Sequence, residues 1–145
     1  MPRQLGIFLV AGVAAVLAVI PFNSLSSPIW DVWVTDEVGR PEAGITVRLA
    51  YRNYSAEGRG HEVDRGTDLM GHVRLPAELL SASLLSRCFG FFEAAASGVH
   101  GSFGPHASVL AFGRGLEGID VDLKKNVVVD WTGEPDHMES RIVVR

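Results

Sequence analysis

Two histidines bound the Gly-rich segment His100-Gly-Ser-Phe-Gly-Pro-His106. Imidazole is the commonest ligand for zinc and copper, so this pair is where metal chemistry would first be sought. A site needs three or four ligands, and spacing fixes no third. Two solvated loop histidines are the plainer reading. His137 stands beside Asp136 and Glu139 and reads as an exposed polar turn. Asp120 and Asp122 are too close in sequence to be carboxylates flanking a sugar, and they read as a solvated strand face. Cys88 is the single cysteine, so there is no intramolecular disulfide and no Cys-based zinc cluster. It sits among Phe89, Phe91 and Phe92, which predicts a buried, inert thiol. Asn53-Tyr54-Ser55 fits a glycosylation acceptor.

Several reactive signatures are missing. There is no Gly-x-Ser-x-Gly, Walker loop, His-Glu-x-x-His or dinucleotide fingerprint. The expectation is a protein with no catalytic residue and no cofactor, with His100 and His106 as its metal candidates. Trp33 and Tyr54 are the candidate contact surface, since an exposed aromatic ring suits a partner or a sugar.

The elements that must position these residues are organised around residues 32–76. In Ile45-Thr46-Val47-Arg48-Leu49-Ala50-Tyr51-Arg52 the odd positions are apolar and most even ones polar. That period of two predicts a strand with one dry face, which belongs to an antiparallel sheet. Asp36-Glu37-Val38-Gly39-Arg40-Pro41 before it and Asp68-Leu69-Met70-Gly71 after it supply turn chemistry. Trp30, Val32 and Val34 share the predicted core face of the first strand, with Trp33 opposite.

The pattern carried by Val34, Asp36, Gly39, Pro41, Gly44, Ile45, Val47 and Leu49, then Thr67, Asp68, Gly71, Val73, Leu75 and Pro76, resembles the carboxypeptidase-regulatory-like, or transthyretin-like, β-sandwich module. The match covers about a third of the chain. The resemblance implies an all-β, Ig-like or transthyretin-like antiparallel sandwich of about seven to nine strands, usually an accessory or binding module. Transthyretin-like folds include a hydroxyisourate hydrolase that ends in Tyr-Arg-Gly-Ser, whereas this chain ends Ser140-Arg141-Ile142-Val143-Val144-Arg145.

The 145 residues divide into an N-terminal segment, 1–27, and one domain, 28–145, near the commonest domain size. The net charge of −4 leaves no basic footprint for nucleic acid. The run from Leu5 to Phe22 is uncharged, with Arg3 before it and Arg40 the next cation after it. It reads as one helix, either a retained signal anchor or a cleaved signal peptide. The positive-inside bias keeps the N-terminus cytoplasmic and sends the domain across the membrane. Residues 23–28 read as a linker.

Downstream, Leu79, Leu80, Leu84 and Leu85 predict a short helix over residues 76–86, followed by a Phe-rich strand over 87–96. Further strands are expected at 109–112, 119–123, 127–131 and 141–144. Ile119, Val121 and Leu123 are expected in the core, with turns at Lys124-Lys125-Asn126 and Gly133-Glu134-Pro135-Asp136. The functional expectation is a membrane-anchored extracytoplasmic module that binds or braces a protein partner. The alternatives are a carbohydrate-binding sandwich and a small transthyretin-like hydrolase.

Overall fold

The computed structural model describes residues 2–96, 102–122 and 127–145, with side chains from residue 6 onward. His100, Leu123 and the Lys124-Lys125-Asn126 turn lie outside the described residues. The chain is mostly β, with two helices.

Helix α1 covers Pro2–Val19. It stops short of Phe22 because Pro21 has no N–H to donate and disfavours helical geometry in Ile20 before it. No helix among the described residues is long and apolar enough to cross a membrane. The segment expected as a linker is instead strand β1, Pro21–Ser27. It pairs antiparallel with β6, Glu78–Ser83, which occupies the place of the predicted 76–86 helix.

Two larger sheets share one core. β2, Ile29–Thr35, lies between β5, His72–Leu75, and β11, His137–Val143. The β2–β5 pairing is antiparallel and the β2–β11 pairing parallel, so this sheet is mixed rather than purely antiparallel. β3, Thr46–Asn53, lies between β4, His61–Gly66, and β7, Pro105–Gly113, with β8, Leu116–Ile119, at the edge. Strands β9, Val121–Asp122, and β10, Val127–Val128, form a small hairpin.

The period of two decides what is buried. Trp30, Val32 and Val34 from β2 meet Val47 and Leu49 from β3 and Val109 and Ala111 from β7. Trp131 and Ile142 complete the packing, and Ile45 joins it just ahead of β3. Trp131 is held by two backbone bonds exchanged with Ala107, at 3.0 and 2.8 Å. Glu117 and Arg145 likewise exchange backbone bonds, tying the rim of one sheet to the end of the other.

The two Asp-x-x-Gly turns are built as their residues require. Asp36 Oδ1 accepts from the Val38 and Arg40 amides, and Asp68 Oδ1 from those of Met70 and His72. These backbone bonds hold the Asp68 carboxyl below its ordinary pKa range, against a smaller opposing effect of burial. Gly71 has φ +70°, and a Cβ there would stand 2.4 Å from the Val34 carbonyl oxygen. Only glycine lets this turn close on β2.

Three expectations fail beyond residue 80. The predicted Phe-rich strand is helix α2, Leu84–Ala96. Ser83 caps it, its hydroxyl accepting from the Ser86 amide at 3.2 Å, and Glu93-Ala94-Ala95-Ala96 are good helix formers. Cys88, expected in the core, is exposed on α2, and so are Phe89 and Phe91. Finally, the 119–122 alternation does not hold, and Val121 and Asp122 are both half-buried. Ile119 is exposed and Asp120 buried, because the chain breaks between β8 and β9 and turns Asp120 toward Ser140.

Candidate functional site

A polar cleft of about 610 Å³ lies on the four-stranded sheet. The alternation that sends Leu49 inward sends Ala50 and Arg52 outward, and the register sets Arg52 beside His106 and Ala50 beside Glu62 and Ser108. All five line the cleft, with Tyr54, His61 and Asp130 around them.

The side chains in the cleft are already partnered with one another. The Arg52 guanidinium lies 4.5 Å over the Tyr54 ring, and the edge of His106 meets that ring at 5.2 Å. His106 Nδ1 is 2.7 Å from Asp130 Oδ2, and its Nε2 is 3.2 Å from the Phe103 carbonyl oxygen. Both nitrogens therefore face acceptors, which hold the ring in place, and the neutral ring can donate to only one of them. His61 stacks on Tyr51 at 5.2 Å and reaches Glu57 at 2.6 Å. Burial, with the nearby Glu78 and Glu57 charges, pushes the Tyr51 hydroxyl above its ordinary pKa. Tyr54 and Ser55 anchor Gly104, whose carbonyl and amide bond to the Tyr54 amide and the Ser55 hydroxyl at 2.9 Å each.

A second constellation sits on the outer face of the three-stranded sheet. Asp31 is only 6% exposed. His137 Nε2 is 2.7 Å from its Oδ2, His72 Nε2 is 2.9 Å from its Oδ1, and Arg74 lies at 3.5 Å. Burial alone would raise the Asp31 pKa. The two histidine bonds and the Arg74 charge outweigh it, so the carboxyl is held below its ordinary range. The Trp33 ring leans on His72 at 4.9 Å and so borders this cluster.

The structure thus brings Tyr54 and His106 together and places Trp33 on a different sheet. His137 is exposed, as expected, but it opens β11 rather than lying in a turn, and it bonds to Asp31. Asp136 accepts the Ile29 amide through its backbone, and Cys88 is exposed on α2 and does not line the cleft. Asn53, whose triplet fits the glycosylation motif, is buried, and its Oδ1 takes the Ser55 amide at 3.2 Å. Among the described residues no three His, Cys, Asp or Glu side chains converge to hold a metal ion. Asp31 and Asp130 are not singled out by any motif in the sequence. Asp31 had a signal, a lone charge inside the apolar run Ile29-Trp30-Asp31-Val32-Trp33. No family model, curated protein or solved structure matches the chain.

Proposed function

We propose that the chain is a membrane-anchored β-sandwich module of the Ig-like, transthyretin-like type, held outside the cytoplasm, which binds or braces a protein partner and does not catalyse. The observation that carries this reading is α1. Its described residues are apolar and exposed along its length, ahead of a domain with its own closed core. A helix apolar on all sides is suited to lipid rather than to one protein face. The cleft supports a contact role, because Arg52, Tyr54, His106 and Asp130 form a mutually braced surface. The protein partner is preferred to sugar because Trp33 lies on β2 while Tyr54 lies in the turn after β3, beside the other sheet. One face of Tyr54 is also covered by Arg52, which leaves no row of open rings.

The test is topological. A reporter enzyme active only outside the cytoplasm, fused after Arg145 through a flexible linker, should be active in cells. Activity of a cytoplasmic reporter at the same position would end the reading.

One observation favours the hydrolase as a second reading. Asp31 orients His137 through Nε2, as a carboxylate orients a catalytic base. Ester or amide hydrolysis abolished by His137→Gln, with the fold intact, would establish it.

A further inference from the structure

Helix α2 is turned inside out. At 100° per residue, Arg87, Gly90 and Ala94 share one face, and Leu85, Phe89 and Phe92 the opposite one. The domain packs against the first set. A Cβ on Gly90 would stand 2.6 Å from the Ser55 carbonyl oxygen, so the backbones nearly touch there. Arg87 donates to the Phe22 carbonyl at 3.2 Å and the Ser24 hydroxyl at 2.9 Å, and lies 4.3 Å over the Phe22 ring. The large apolar residues point away, with Phe89 and Phe92 each 68% exposed, and α2 has no buried residue. Amphipathic helices of water-soluble domains show the reverse pattern. Gly90 is what lets this face of α2 approach so closely, since any larger side chain in its place would strike Ser55.

We infer that the Leu85, Phe89 and Phe92 ridge is a second membrane contact, seated in the bilayer interface at the foot of α1. The inference rests on the reading of α1 as an anchor and deepens it. Two observations select lipid over a protein. First, α2 packs against α1, so the ridge stands next to a helix whose described residues are apolar and, apart from half-buried Ala18, exposed. A protein partner covers one face, whereas a bilayer covers a helix all round. Second, the 18 residues of α1 span about 27 Å, against a hydrocarbon core of about 30 Å. A short anchor draws the bilayer surface down to whatever stands at its end, and α2 stands there. The ridge carries no cation, and Arg87 is turned to the protein. The contact is therefore with the apolar interface of neutral lipid, not with anionic headgroups.

Cys88, exposed beside the ridge and the only cysteine, provides the probe. A nitroxide is attached to it in the full chain reconstituted in phosphatidylcholine vesicles, and its collisions with oxygen and with a water-soluble nickel chelate are compared. A second sample carries the label in α1, as Val10→Cys in a Cys88→Ser background. Both labels should prefer oxygen. Phe89→Asp with Phe92→Asp should abolish the preference at Cys88 and leave it at position 10, with the fluorescence of buried Trp30 and Trp131 unchanged. If position 10 is embedded while Cys88 meets the nickel chelate as freely as a label on exposed Arg59, the ridge does not touch lipid and the inference alone falls. If Cys88 is shielded from both reagents, a protein covers the ridge and the inference falls in favour of that partner. If both labels meet the chelate, the anchor reading fails and takes the inference with it.

Discussion

Replacing Asp31 by Asn should destabilise the domain at neutral pH, although it removes no volume. The carboxylate now accepts from His137 at 2.7 Å and His72 at 2.9 Å, both within charge-assisted range, while 6% exposed. The amide keeps one acceptor oxygen and presents an NH₂ to the other ring, so one charge-assisted bond is lost outright. Such a bond is worth about 1.5–3 kcal/mol. Arg74 adds little, because it is largely exposed and its attraction is screened. The expected loss is therefore about 1.5–3 kcal/mol. It should be read by denaturant unfolding of the full chain in mild detergent, followed by the fluorescence of the buried core tryptophans. The pH dependence gives a second handle. The folded pKa of Asp31 is depressed, so its contribution is present above the unfolded value of about 3.9 and is lost as pH falls through the folded value. Wild type and Asp31→Asn should start to approach one another near the unfolded value of about 3.9 and converge only once pH has fallen below the lower folded value. A difference at pH 7 within about 0.5 kcal/mol would show that the histidines and Asp31 are solvated rather than coupled.

Three further outcomes are expected. Leu49→Ala should cost about 2–5 kcal/mol in the same unfolding assay, since Leu49 is fully buried between the sheets. Gly71→Ala should cost more than about 1 kcal/mol, because φ is +70° and the added Cβ strikes the Val34 carbonyl. Asp120→Asn should leave stability at pH 7 unchanged or raise it. Burial lifts the Asp120 pKa, with Asp122 adding and the Ser140 bond opposing, so its folded-state penalty appears as pH rises above about 3.9 and vanishes in the neutral amide.

The middle of the chain was legible because two independent signals agreed there. The alternation at 45–51 set the register of β3, and Asp36, Gly39, Asp68 and Gly71 set the turns on either side. Beyond residue 80 the signals competed. Phe89, Phe91 and Phe92 favour a strand by propensity, but the Ser83 cap and the Ala-rich end favour a helix, and a helix forms. Ile119, Val121 and Leu123 alternate cleanly, yet the chain breaks at Asp120, and periodicity cannot report a break. The candidate sites depend on pairing between distant strands. Asp31 meets His72 and His137 only because β5 and β11 flank β2, and Asp130 meets His106 only because Trp131 bridges to Ala107. Nothing local announces either meeting.

The pairing of β2 with β11 bears on how the protein is made. Trp30 bonds to Ser140 across 110 positions of sequence, and the whole length of β2 is matched to β11. Non-local contacts are slow to form, because a long loop must close before they reward the chain. While residues 137–143 are still being synthesised or threaded, one edge of β2 is open and the core beneath it uncovered. An open apolar strand edge is a template for aggregation. If the domain is exported, this topology keeps it unlocked until residues 137–143 have passed, which suits a threading machine. The fold then closes on the far side, where its last strand completes the sheet that its first core strand began.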